Sequence, residues 1–169
     1  PGCVQLGVEN IDKVGAIGIP GYGWQAKIVD ENRNVIEESD KVGELAVYGP
    51  GVMTCYFNDP IATAEVLDDE GCLYTGDMAK RDKDGFYYLV DRKKDVIISG
   101  GENIYPKEIE EFIYTHEKVK DVQVIGVPDE QYGEEIFAAV ILKDGESMTE
   151  DELKQYVMSH MAKHKVPRY

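Results

Sequence analysis

The sequence changes character at Asp91–Asp95, and this change constrains the fold more than any other feature of the 169 residues. Before it, short alternating segments separated by polar turns are typical of β strands. After it, apolar residues recur at helical spacing between β-prone runs. We therefore expect an α+β chain in two parts: a short-stranded β region over residues 1–92, and a small α+β domain over residues 93–169.

Local signals place several elements in both parts. In the first, strands are predicted at residues 25–29, 43–48 and 86–90, and a helix from Pro60 to about Val66 with Asp59 as its cap. In the second, Thr149 and Glu152 form a capping box for a helix that should run to about Met161. The other elements expected there are a helix over residues 106–114, a strand over 119–127 that stops at Pro128-Asp129, and a strand over 136–142.

Composition excludes several classes of function. The net charge of −15 argues against nucleic acid as a partner, because binding it would require a basic face. No apolar run approaches the roughly 20 residues that a membrane span needs. Three widely spaced cysteines without a Cys-x-x-Cys pair predict neither a disulfide framework nor a zinc site, and no metal ligands are predicted. A reducing, cytoplasmic compartment fits best.

Three closely spaced stretches carry the residues of chemical interest. They are Tyr74-Thr75-Gly76-Asp77, Asp91-Arg92-Lys93-Lys94-Asp95, and Gly100 to Glu110, which reads GGENIYPKEIE. An aspartate offers two acceptor oxygens that match adjacent sugar hydroxyls, and an arginine can bond two oxygens at once. Paired glycines at a strand end permit a tight turn or a close backbone approach. Taken singly, each stretch is also compatible with an ordinary loop, linker or helix start.

In this order and spacing, the three stretches resemble the adenylate-forming enzymes, and within them the AMP-forming acyl-CoA synthetases. The resemblance implies that Asp77 and Arg92 bind the ribose of ATP. It implies that Lys94 is the hinge about which a small domain rotates between two half-reactions. It also implies that Gly100 and Gly101 line the channel for the pantetheine arm of coenzyme A.

The same resemblance implies that the chain is part of a longer protein. The family's phosphate-binding loop would lie before Pro1, and its catalytic lysine motif beyond Tyr169. Residues 1–92 would then be the end of the large N-terminal domain, and residues 93–169 most of the small mobile domain. No catalytic residue is expected within this chain, and the chain alone is expected to be inactive.

The function implied by the resemblance is that of an acid–thiol ligase. ATP, Mg²⁺ and a carboxylic acid would give an acyl-adenylate, and coenzyme A would then displace AMP. The sequence of residues 99–106 is similar to that of fatty or aromatic acyl-CoA ligases, which favours a medium- or long-chain fatty acid or a related acid as the substrate. Two alternatives stay open: an adenylation domain that loads a carrier protein, and a non-catalytic interaction domain. The acid and the oligomeric state are left open.

Overall fold

The structure is a computed structural model that describes residues 3–4 and 10–169. Internal contacts divide the chain into two units, Pro1–Lys93 and Lys94–Tyr169. Each unit contains one antiparallel sheet, and the described residues form three α helices in all. The predicted α+β class, with a β-rich first part, is confirmed.

The first unit is built around a six-stranded antiparallel sheet with the order β1-β2-β6-β5-β4-β3. One short helix, α1, lies between β4 and β5 along the chain. The strands are β1 Cys3–Val4, β2 Ala16–Pro20, β3 Gln25–Val29, β4 Gly43–Tyr48, β5 Leu73–Arg81 and β6 Tyr87–Arg92, and the helix α1 is Pro60–Val66.

Alternation along β3 and β4 places apolar side chains on both faces of this sheet. Ile28 and Leu45 are paired across the two strands and pack with Ala79 and Tyr87 in one cluster. The residues that follow them in sequence belong to a second cluster, which contains Val29, Ala46, Cys72 and Tyr74. Because successive side chains in a strand point to opposite faces, one pair of strands contributes to both clusters.

The second unit has a four-stranded antiparallel sheet with the order β8-β7-β10-β9. A 3₁₀ turn at Lys93–Asp95 precedes it, and another, Lys163–Lys165, follows the last helix. The elements are β7 Ile97–Ser99, β8 Glu102–Ile104, α2 Pro106–Tyr114, β9 Val119–Asp129, β10 Gly133–Leu142 and α3 Glu150–Met158.

A single apolar cluster joins the helices of the second unit to its sheet. Ile109 and Ile113 of α2 and Val157 of α3 are fully buried against strand residues such as Val124 and Ile136. The spacing of Ile109 and Ile113, one helical turn apart, is the pattern that predicted an amphipathic helix. The predicted bounds of this helix, residues 106–114, are confirmed.

Both predicted helix starts with a polar cap are also confirmed. Asp59 accepts a hydrogen bond from the Ala62 N–H at 2.9 Å, and Pro60 occupies the first turn of α1. Thr149 and Glu152 form the reciprocal capping box at the start of α3. The helix itself ends at Met158, three residues earlier than expected, and its last turn is closed by the Ser159 N–H bonding to the Gln155 carbonyl.

The predicted stop of the strand at Pro128-Asp129 is wrong. Strand β9 continues through Asp129, and Pro128 is paired with Glu134. This strand lies at the edge of the sheet, where a proline is tolerated because it removes no hydrogen bond from an inner ladder. Four strands, β1, β2, β5 and β8, were not predicted, and β5 contains the Thr75-Gly76-Asp77 stretch that interrupts its alternation.

Three further observations concern membrane spans, metal sites and cysteines in residues 3–4 and 10–169. No helix there is both long and apolar enough to cross a bilayer. No group of histidine, cysteine, aspartate and glutamate side chains is arranged to hold a metal ion. Cys55 and Cys72 are free thiols, and the side chain of Cys3 lies outside the described residues.

Asp68 fixes the chain just before β5. Its Oδ1 accepts from the N–H groups of Cys72 at 2.8 Å and Glu70 at 3.0 Å, and its Oδ2 accepts from the Tyr74 hydroxyl at 3.1 Å. Burial acts to raise the pKa of Asp68, but these hydrogen bonds favour the carboxylate and hold the pKa below its ordinary value of 3.8.

A lowered pKa makes this contribution to stability sensitive to acid. The stabilisation from Asp68 is fully present above the ordinary value and is lost as the pH falls through the lower folded-state value. We expect Asp68→Asn, which cannot titrate, to flatten the loss of stability below about pH 4. Urea unfolding followed by the fluorescence of Trp24, the one tryptophan, measures this. The matched control is Asp69→Asn, at an exposed neighbour, and equal acid slopes in both variants would contradict the assignment.

Candidate functional site

Asp77 and Arg92, the two residues expected to hold a sugar, lie side by side. They are register partners on the neighbouring strands β5 and β6. The Arg92 Nη1 is 2.9 Å from the Asp77 Oδ1. The arginine side chain keeps 57% of its surface exposed and the aspartate 27%. The pair therefore presents a carboxylate and a planar guanidinium together at an open surface, where two adjacent hydroxyls could bind both.

A bulge in β5 positions Asp77. From Glu44 to Ala46, β4 advances two residues, while β5 spans four between their partners Met78 and Tyr74. Thr75, Gly76 and Asp77 are the residues in this irregular stretch. Bulges change the direction of a side chain and are common beside active sites, so this irregularity removes Asp77 from regular pairing with β4.

Two features hold the bulge in place. The Thr75 hydroxyl donates to the Leu45 carbonyl at 2.8 Å and accepts from the Asp77 N–H at 3.1 Å. Gly76 has a φ of 72°, in the left-handed region that favours glycine. A Cβ at Gly76 would have no atom within 4 Å, so the backbone here is open to a ligand and glycine is required by conformation.

Glu44 completes the site and was not predicted from the sequence. It is 8% exposed, the one charged residue in the buried set of the described chain. Its Oε1 accepts from the Gly76 N–H at 3.0 Å, and its Oε2 accepts from the Lys93 Nζ at 2.7 Å. From the sequence alone, a glutamate in a strand such as β4 would be expected to face solvent. Its partners are 32 and 49 residues away, so no local signal identifies it.

Lys94, the expected hinge, lies in the 3₁₀ turn Lys93–Asp95 and is the first residue of the second unit. Its side chain is exposed and has no ion pair or hydrogen bond with any described residue. The residue before it, Lys93, is held by Glu44. Of these two consecutive lysines, Lys93 is therefore restrained by an ion pair with a described residue and Lys94 is not.

Gly100 and Gly101 form the two-residue loop between β7 and β8, with Ser99 paired to Glu102. Their φ angles are 58° and 85°, the consecutive positive values that a type I′ hairpin turn requires. The Gly100 N–H donates to the Tyr132 carbonyl at 2.9 Å. A Cβ at Gly101 would meet nothing within 4 Å. The turn geometry alone accounts for the two glycines, and Gly101 leaves its side of the loop open.

Comparison with known proteins identifies the chain's relatives. Residues 108–169 match the family model of the AMP-binding enzyme C-terminal domain. The chain is 48% identical over 145 residues to the putative acyl-CoA synthetase YngI of Bacillus subtilis, covering 86% of the chain and 26% of that protein. It is 45% identical over 157 residues to the long-chain-fatty-acid–CoA ligase of the same organism, covering 93% and 28%.

A solved structure agrees with these relatives. The o-succinylbenzoate CoA synthetase MenE of Bacillus subtilis, in complex with the acyl-adenylate intermediate OSB-AMP, superposes with a TM-score of 0.88 at 37% identity. The match covers 98% of this chain and 33% of that one. The chain thus spans about a quarter to a third of the length of the proteins it matches.

The geometry at Gly76 allows a test of whether glycine is required there by its backbone conformation or by lack of space for a side chain. Gly76→Ala should destabilise the chain by about 1 kcal/mol, because an L-residue is strained at positive φ although a methyl group would fit. Gly85 has a φ of 88° and equally open surroundings in the turn before β6, so Gly85→Ala is the matched control. Urea unfolding should give similar losses for both; a much larger loss at Gly76 would show that the space beside it is occupied.

Proposed function

Because the chain belongs to the adenylate-forming enzyme superfamily, we propose that the protein containing it is an AMP-forming acyl-CoA synthetase. In the first step a carboxylic acid and ATP form an acyl-adenylate and pyrophosphate. In the second step coenzyme A attacks the acyl carbon, a thioester forms and AMP leaves. The observation that carries the proposal is the open ion pair between Asp77 and Arg92 beside the unhindered backbone of Gly76.

Asp77 and Arg92 are proposed to bind the ribose of ATP. The Asp77 carboxylate accepts hydrogen bonds from the two hydroxyls, and the guanidinium of Arg92 donates to their oxygens. Their pairing at 2.9 Å orients the carboxylate before the nucleotide arrives. Pre-orientation of this kind reduces the entropy lost on binding.

The remaining roles fall on residues of the second unit. Lys94 is proposed as the hinge of a domain rotation, since hinges are a few residues at the ends of elements that absorb changes in φ and ψ. Gly100 and Gly101 are proposed to border the channel for the pantetheine arm, which the open side of Gly101 supports. The described residues offer no carboxylate cluster for Mg²⁺, so the proposal assigns none of them to the metal.

A fatty acid of medium or long chain, or a related acid, is the proposed substrate. The long-chain-fatty-acid–CoA ligase is among the relatives, while the o-succinylbenzoate enzyme takes a different acid. The free thiols of Cys55 and Cys72 support the proposal of a reducing, cytoplasmic compartment.

Substitution of the ion pair tests the nucleotide site in the full-length protein. Asp77→Asn and Arg92→Met should each weaken ATP binding roughly tenfold or more, because each removes a charge-assisted hydrogen bond. Isothermal titration with ATP measures this without knowledge of the acid. The control is Arg81→Met, which removes the 3.4 Å pair with Glu37 at the other end of β5 and should leave ATP affinity unchanged. Unchanged affinity in the Asp77 and Arg92 variants would contradict the proposal.

Activity of the chain by itself is a separate prediction. Residues 1–169 alone should release no pyrophosphate from ATP in the presence of fatty or aromatic acids, while the full-length protein should release it and form a thioester with coenzyme A. Pyrophosphate release by the chain alone would refute the assignment of catalytic groups outside it. Thioester formation only on a carrier protein would favour the carrier-loading alternative, and no adenylation at all by the full-length protein would favour a non-catalytic domain.

A further inference from the structure

The Glu44 carboxylate links three separate parts of the first unit. It projects from β4, between β3 and β5. One of its oxygens binds the amide of Gly76, directly before Asp77, and the other binds the ammonium group of Lys93, directly after Arg92. One buried side chain therefore holds the chain next to both members of the proposed ribose-binding pair.

We propose that Glu44 is a positioning residue that fixes Gly76 and Lys93 together, so that Asp77 and Arg92 keep their spacing and movement of the chain begins only at Lys94. This inference rests on the proposed function, because it concerns the same nucleotide site and hinge. Glu44 itself touches neither reacting atoms nor, in the proposal, the nucleotide.

The first step of the argument concerns the Gly76 amide. Gly76 lies in the bulge, outside the regular pairs of β4 and β5, so its N–H has no partner from the ladder. The Glu44 Oε1 supplies the acceptor at 3.0 Å. Without this acceptor the half-buried N–H would lose its partner within the protein, and the bulge would relax to satisfy it. Such relaxation would move Asp77, the next residue.

The second step concerns Lys93. Its ammonium group is 2.7 Å from the Glu44 Oε2, and the glutamate side chain is only 9% exposed while the lysine side chain is 51% exposed. A carboxylate removed from water binds its counter-ion more firmly than an exposed one does. Lys94, by contrast, is exposed and has no partner among the described residues. The restraint ends where the proposed hinge begins.

The third step is why a carboxylate is needed at this position. Gly76 and Lys93 both present donors, and a carboxylate offers an acceptor oxygen to each. A glutamine offers one oxygen and one NH₂ group, so it can satisfy one donor but would direct its own N–H groups at the other. Glu44→Gln therefore breaks one of the two links while keeping the shape of the side chain.

The test uses the full-length protein and two readouts, the affinity for ATP and the amide hydrogen exchange of residues 93–95. Glu44→Gln should weaken ATP binding by roughly tenfold. Lys93→Met leaves the Gly76 link intact, so it should weaken ATP binding less but raise amide exchange at residues 93–95 on the order of tenfold. In the double variant Glu44→Gln/Lys93→Met, the glutamine oxygen is free to accept from Gly76, and ATP affinity should largely recover.

The matched control is Lys13→Met. It removes another ion pair of the same unit, between Lys13 and Asp82 at 2.8 Å with both side chains largely buried. It should lower stability without changing ATP affinity or exchange at residues 93–95. If Lys93→Met and Lys13→Met gave the same exchange there, Glu44 would have only a general stabilising role and the inference would be overturned.

The outcomes separate this inference from the proposed function. If Asp77→Asn weakens ATP binding but folded Glu44→Gln binds ATP as the wild type does, the inference fails and the proposed function stands. If Asp77→Asn also has no effect, both fail. Should Glu44→Gln not fold, as judged by circular dichroism, Lys93→Met at its half-exposed position decides through the exchange measurement.

Discussion

The bulge in β5 is the constraint on which the site depends. Between Tyr74 and Met78 the ladder with β4 is interrupted, and polar groups that lose their partners in the ladder need others. The Thr75 hydroxyl donates to the Leu45 carbonyl and accepts from the Asp77 N–H, and the Glu44 carboxylate accepts from the Gly76 N–H. The irregularity removes Asp77 from regular pairing with β4 while leaving it in register with Arg92 on β6. An uninterrupted strand would bury this backbone in the ladder and leave no open surface at Gly76.

Ionic contacts in the first unit differ in what they restrain. Pairs such as Lys41 with Glu38 are exposed on both sides, and pairs of that kind contribute little. Glu44 is buried and linked to backbone as well as to a charge, so losing either partner would leave a buried group poorly satisfied. The same argument explains why the side chains of Asp77 and Arg92 can remain partly exposed. Their sequence neighbours, Gly76 and Lys93, are held by the buried carboxylate of Glu44.

Features set by interactions between residues close in the sequence could be predicted, whereas features set by interactions between distant residues could not. Asp59 with Pro60, and Thr149 with Glu152, act within four residues, and the helix starts that they define were predicted correctly. The stop expected at Pro128 was wrong because the tolerance of a strand for proline depends on its place at the sheet edge. The pairing of Asp77 with Arg92 could be anticipated only through resemblance, and Glu44 could not, since its partners are fixed by strand order.

The two glycine sites illustrate the same distinction. Gly100 and Gly101 close a hairpin whose two-residue loop determines its own backbone angles, so their conformation follows from local sequence. Gly76 takes a similar positive φ, but its amide is held by a carboxylate 32 residues earlier in the chain. A remote substitution can therefore disturb the first stretch and leave the hairpin loop intact. In the proposed function, the first stretch binds the nucleotide and the hairpin loop borders the thiol channel, so this separation would allow each to be altered without the other.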